Sequence, residues 1–170
     1  NIVNLLPIES GEKVTAMIPV KEFEEGKFLV MATRYGIVKR ISLTRLATAR
    51  KTGIRAVTIG EGDELISVML TDGNQQVVLA THDGMAIRFQ ETDIRPTGRE
   101  AAGVNGIDLA EDDYVVGAGV VDAEKSLLTV TENGYGKRTN IGEYRLQSRG
   151  GKGIKNYDTQ KNGPVAGVLA

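Results

Sequence analysis

The chain has 170 residues, 41% of them hydrophobic, enough for one domain with a packed core or for a short array of repeats. It contains no cysteine, which excludes a disulfide framework or a thiolate metal site. The net charge of -1 argues against binding to nucleic acid through bulk charge alone, so the distribution of charge has to decide that question. No apolar run reaches the roughly 18 residues of a membrane span, and the N-terminus lacks a signal-peptide pattern, so the expected location is cytoplasmic. Glycine is abundant (21 residues) and aromatics are few (5%), which fits short strands punctuated by turns better than long helices.

In chain order, the first apolar segments are 2–6 and 14–18, separated by Gly11, Glu12 and Lys13. After a charged connector at 21–26 comes the apolar stretch 28–40, two short strands joined by a turn at Thr33, Arg34, Tyr35 and Gly36. The same text returns around Thr81, His82, Asp83 and Gly84, and again around Thr131, Glu132, Asn133 and Gly134. Asp83-Gly84 and Asn133-Gly134 are strong hairpin signals, because these residues tolerate the positive φ of primed turns. Arg40, Arg88 and Arg138 close the second segment of each copy. Gly53, Gly103 and Gly153 then open a third segment, and the runs 65–70, 114–120 and 164–169 supply a fourth.

The period of about 50 residues, with four short strands in each unit, is that of a propeller-like array. Such a unit cannot bury its apolar face alone, so neighbours must stack. The predicted organisation is the second half of one blade at 1–20, then blades at 21–71, 72–121 and 122–170.

Between the second and third strands lies a long loop rich in cations. The stretch 34–55 carries Arg34, Lys39, Arg40, Arg45, Arg50, Lys51 and Arg55 without an acid. The third unit repeats the pattern with Lys137, Arg138, Arg145, Arg149, Lys152 and Lys155 against Glu143. The second is weaker, with Arg88, Arg95 and Arg99 against Glu91, Asp93 and Glu100. Acids gather before the last strand, at Glu61, Asp63 and Glu64 and at Glu111, Asp112 and Asp113. Equivalent loops of a repeat lie on one side, so a nearly neutral chain can present a basic stripe that follows a phosphate backbone and an acidic face opposite. The plainer reading is a solvated, charged surface. Arg45, Arg50, Lys51, Arg95, Arg99, Arg145, Arg149 and Lys152 are the candidate DNA contacts.

The segment Gln147-Ser148-Arg149-Gly150-Gly151-Lys152-Gly153 combines glycines, which let a backbone approach a ligand, with two cations. It reads equally as a phosphate grip and as a glycine-rich connection. It resembles the box motif Gln-Arg-Arg-Gly-Gly-Lys-Gly of the C-terminal DNA-wrapping domain of gyrase A subunits, with Ser148 in place of an arginine. Asn4-Leu5-Leu6-Pro7, Gly11-Glu12-Lys13, Gly62-Asp63-Glu64-Leu65, Ile87-Arg88-Phe89, Glu132-Asn133-Gly134-Tyr135-Gly136-Lys137-Arg138 and Lys161-Asn162-Gly163-Pro164 are similar to that family too.

The resemblance implies an all-β fold, a β-pinwheel of four-stranded blades that exchange strands. This chain would hold about three and a half of the family's six blades. It also implies wrapping of duplex DNA without sequence preference, in support of ATP-dependent negative supercoiling by a type II topoisomerase. The partners it implies are duplex DNA, the remainder of gyrase A and the gyrase B subunit in a heterotetramer, with no membrane. ATP and Mg would be bound elsewhere, with no cofactor, metal or catalytic residue here. The family's box stands at the first blade, whereas this copy lies in a later one. The family's DNA-cleaving tyrosine belongs to an upstream domain and corresponds to none of Tyr35, Tyr114, Tyr135, Tyr144 and Tyr157.

The C-terminal domain of topoisomerase IV is a close alternative. A propeller-like protein-binding scaffold is a more distant one, for which the chain offers no tryptophan and few aromatic anchors. No Walker A motif is present, since Arg138 and Gly153 follow the Gly-Lys pairs where Ser or Thr is needed. His82 is the single histidine, which leaves no histidine-rich metal site, and its place in the Thr81-His82-Asp83-Gly84 turn reads as a turn or surface role rather than a Ser-His-Asp triad.

Overall fold

The computed structural model describes residues 25–46, 60–98, 101–122 and 124–170. The predicted half blade at 1–20 and the third segment of the first unit, 54–59, lie outside them. Among the described residues β1 (Phe28–Thr33), β2 (Ile37–Ser42), a helical turn α1 (Leu43–Leu46) and β3 (Leu65–Thr71) form the first unit. β4 (Gln76–Thr81), β5 (Met85–Gln90), β6 (Val104–Asn105) and β7 (Val115–Val121) form the second. β8 (Ser126–Thr131), β9 (Gly136–Asn140), β10 (Ile154–Lys155), a helical turn α2 (Thr159–Asn162) and β11 (Val165–Leu169) form the third. No described helix is long and apolar enough to cross a membrane.

The repeated Thr and Gly are explained by the hairpins. In the first turn Gly36 N–H donates to Thr33 O at 3.0 Å and Ile37 N–H to the Thr33 hydroxyl at 3.2 Å. Thr81 and Thr131 do the same for Gly84 and Met85 and for Gly134 and Tyr135. The threonine hydroxyl therefore closes each turn, and glycine takes the positive φ that the turn requires, +83°, +91° and +87°.

Sheet and sequence repeat are out of phase. The first sheet has the order β3-β1-β2-β6, and the second β10-β5-β4-β7. Each is antiparallel, and its fourth strand is only two residues long and comes from the following unit: β6 pairs with β2 and β10 with β5. The third apolar segments of units two and three thus shrink to Val104–Asn105 and Ile154–Lys155 and serve a neighbour. The crossing is tight. A Cβ on Gly103 would stand 2.7 Å from Val38 O, and its φ is +88°. The third sheet, β11-β8-β9, shows three strands among the described residues.

The units stack, and their apolar faces meet. Val30, Ala32 and Val38 of the first sheet pack on Val77, Leu79, Ile87 and Phe89 of the second. The other face of the second sheet, Val78, Ala80 and Ala86, packs on Leu127, Ile141 and Tyr144 of the third. β4 is therefore apolar at both alternations, as a strand covered on two sides must be. β8 alternates instead, with Leu127 and Thr129 buried and Leu128 and Val130 exposed. Each fully buried Val or Leu contributes roughly 1.5–3 kcal/mol, so the joints between units carry much of the stability.

Candidate nucleic-acid interface

The strands set two ends apart. At the turn end, Asp63 accepts from the amides of Tyr35 (2.9 Å) and Glu64 (2.8 Å), and Asp113 from those of Asp83 (3.0 Å) and Tyr114 (2.8 Å). These aspartates pin the acidic segments onto the hairpin turns. At the base end, Leu43 N–H donates to Lys27 O and Ile141 N–H to Lys125 O. There α1 and two 3-10 turns, Glu91–Asp93 and Ile141–Glu143, follow the second strands. A six-residue strand at about 3.3 Å per residue separates the two ends by roughly 20 Å.

Arg45, Arg95 and Arg145 all lie at the base end, and all are exposed. They are not equivalent positions. Counted from the second-strand arginines Arg40, Arg88 and Arg138, Arg45 falls where Asp93 and Glu143 stand in the other units. Arg95 and Arg145 do correspond, each directly behind its 3-10 turn. Lys27 and Lys125 join them there, each directly before the first strand of its hairpin. Arg50, Lys51 and Arg99 lie outside the described residues.

Three charges counted in the basic stretches do not belong to any surface. Lys39 is 1% exposed, Arg40 6% and Arg88 8%. Arg40 reaches the next unit, donating to Ile94 O at 2.9 Å and pairing with the buried Glu91 carboxylate at 3.2 Å, with its guanidinium 4.5 Å from the Phe28 ring centre. Arg88 repeats the reach, donating to Ile141 O (3.2 Å) and Tyr144 O (2.8 Å), and to the Gln76 side chain (2.7 Å). Arg40 and Arg88 are thus staples between units, whereas Arg138, at the same position of β9, is exposed. Lys39 sits wholly inside, and burial pulls its ammonium down from 10.5 to about 8.

The box-like segment is a strap across the joint between units two and three. Gln147 N–H donates to Arg88 O (3.0 Å) and Gly150 N–H to Gly106 O (2.9 Å), while Gly151 O accepts from Asp108 N–H (2.8 Å). The Arg149 guanidinium donates to Asp93 O (3.1 Å) and Asn105 O (2.7 Å). These carbonyls orient Arg149 without neutralising it. Ser148 is exposed, and Gly153 presses against the Ala86 carbonyl, where a Cβ has no room. Lys152 lands away from the base end, beside Thr81, Met85 and Asp113.

At the turn end His82 stacks on Tyr114 with ring centres 4.6 Å apart and hydrogen-bonds Asp83 at 3.0 Å. His82, Asp83 and Asp113 form the one group among the described residues with metal-ligand composition and proximity. Asp113 spends an oxygen on two backbone amides, as Asp63 does in the first unit with Arg34 in the place of His82, so the arrangement is a turn cap.

A family model described as the DNA gyrase C-terminal domain, beta-propeller, matches residues 27–72, 75–122 and 125–170. The chain is 48% identical to the gyrase A subunits of Clostridium acetobutylicum and Salmonella typhimurium over 103 and 102 residues, 61% and 60% of its length. It spans only 12% of the length of each of these relatives. A solved DNA gyrase A C-terminal domain superimposes with a TM-score of 0.82 at 28% identity, covering 100% of this chain and 57% of that one. The C-terminal domain of DNA topoisomerase IV superimposes at 0.78 with 23% identity, covering 99% and 69%.

Proposed function

The chain belongs to the DNA gyrase C-terminal domain family, and on that premise we propose that it binds duplex DNA along the base end of its stacked units, without sequence preference, and bends the duplex round that end. The observation that carries this reading is the exposure of Arg45, Arg95 and Arg145 on successive units, at the strand ends opposite the acidic turns. Lys27 and Lys125 extend the same row. Phosphate contacts from cations on a rigid stack position DNA without reading bases. Counterion release drives the association, and the gain offsets a bending cost of a few kcal/mol. In the whole protein the wrapped duplex would feed ATP-driven negative supercoiling by an assembly with gyrase B. This chain would contribute the wrap and no chemistry.

The test is fluorescence anisotropy of a labelled duplex of about 40 base pairs, titrated across salt concentrations. Five phosphate contacts give a log–log salt slope near roughly -4.5. Affinity that is insensitive to salt, or that differs by orders of magnitude between duplex sequences, defeats the proposal.

A further inference from the structure

The turn end holds a cavity of about 380 Å³ that the DNA reading leaves unused. Its walls are apolar: Met85 from the hairpin of the second unit, and Ile107, Leu109 and Ala110 from the segment behind β6. Asp108 and Asp113 supply carboxylates, and Lys152 closes one side from the strap. Asp113 is 8% exposed and fixed by its two amide donors, so its charge is held rigidly at the wall. Asp83, Glu111 and Asp112 are exposed beside it. Two carboxylates, Asp108 and Asp113, thus line an apolar floor with Lys152; three more stand exposed near Asp113, and the Arg34 guanidinium lies over the neighbouring Tyr114 ring.

Asp112 precedes Asp113 in the chain. It is the one described non-glycine residue with a positive φ, +65°. In the first unit the residue before the capping aspartate is Gly62, at φ +80°. Glycine takes that conformation freely, and aspartate takes it only occasionally. The second unit therefore keeps a carboxylate at a position whose backbone favours glycine.

We propose that this cavity is the docking site for a short cationic and apolar peptide segment of a partner protein. An apolar side chain enters between Met85, Ile107 and Leu109, and the flanking lysines or arginines meet Asp83, Asp108 and Asp112. Charge complementarity selects the partner, because an acidic rim repels acidic segments and DNA alike. The site lies at the strand ends opposite Arg95 and Arg145, so partner and duplex can be held together.

The probe is a fluorescein-labelled hexapeptide, Lys-Leu-Arg-Phe-Lys-Leu, added to the 170-residue chain carrying 13C-methyl methionine. Met85 reports from the cavity wall, while Met31 and Met69 report from the interior. The expected result is a saturable shift of the Met85 methyl alone, with Kd on the order of ~10–100 µM. Asp112→Gly, which relieves the backbone, weakens the peptide about threefold and leaves DNA affinity and methyl dispersion unchanged. Asp108→Asn combined with it weakens binding about tenfold. A Met85 methyl that stays in place at millimolar peptide overturns the proposal. So does equal binding of a Glu-Leu-Glu-Phe-Glu-Leu control, or wild-type peptide affinity in both variants.

Discussion

The pair Arg40–Glu91 ties the first unit to the second and can be isolated by a double-mutant cycle. Both groups are buried, at 6% and 0% exposure, and the Glu91 oxygen that does not face Arg40, Oε2, has no hydrogen-bond partner. Removing one member leaves a charge in the interior, at a cost of about 3–5 kcal/mol. Glu91→Ala strands the Arg40 guanidinium, although Ile94 O still accepts from it. The position itself does not require a charge, because the third residue after the second-strand arginine is Leu43 in the first unit and Ile141 in the third, both buried. Arg40→Met with Glu91→Leu should therefore lie within about 1 kcal/mol of wild type, the residual being the lost bond to Ile94 O. Urea unfolding followed by far-ultraviolet circular dichroism and by tyrosine fluorescence measures each corner of the cycle. The two probes together show whether the units unfold as one. For a chain of this size the single variants should lose about 10 °C in Tm. A Glu91→Ala cost below about 1 kcal/mol, or a double variant as weak as the worse single one, would refute the reasoning.

Lys39 gives a pH signature. Its ammonium titrates near 8 in the fold against 10.5 ordinarily, because burial disfavours the charge. Between those values the unfolded chain holds a proton that the folded chain has released, so this group makes stability rise with pH across that window and adds no slope below it. Lys39→Met should abolish the rise and gain up to about 3 kcal/mol at neutral pH, as read from urea midpoints at pH 7, 8.5 and 10. Arg149→Lys keeps the charge but cannot bridge Asp93 O and Asn105 O; hydrogen exchange at Gly150 should quicken while DNA affinity stays within about twofold. Tyr144 donates to Asn156 Oδ1, and Asn156 in turn donates to Thr129 (3.0 Å), so Tyr144→Phe should cost about 1–2 kcal/mol in the same unfolding assay.

What the chain discloses by itself follows from which signals are local. The hairpins are legible because Thr33, Gly36 and their copies do their work within four residues. The stacking is legible in β4, whose unbroken apolar run has no exposed alternation. The destination of Val104–Asn105 is not legible, since two residues behind a glycine carry no mark of the sheet they join; that choice is made by the open edge of β2 in another unit. The charge map fails at Lys39, Arg40 and Arg88 for a related reason. A loop-wise count treats every arginine as solvated, yet these three sit inside strands covered by a neighbour. The repeat position alone does not settle it, since Arg138 stands where Arg40 and Arg88 do and is exposed. Arg149 and Lys152 are three residues apart in the strap, yet Arg149 is held by Asp93 O and Asn105 O while Lys152 lies beside Thr81, Met85 and Asp113.

The central claim is that DNA is held at the base end of the strands and not at the turn end. It is tested most directly by two charge-reversed pairs of equal net change. One is Arg95→Glu with Arg145→Glu; the other is Lys152→Glu with Lys161→Glu, and all four residues are exposed. Duplex affinity is measured by anisotropy from about 50 to 200 mM salt. The base-end pair should lose at least about tenfold in affinity at the lower salt, with a salt slope shallower by roughly 1.8, and the turn-end pair should stay within about threefold of wild type. Equal losses in both pairs, or a loss confined to Lys152 and Lys161, would contradict the account.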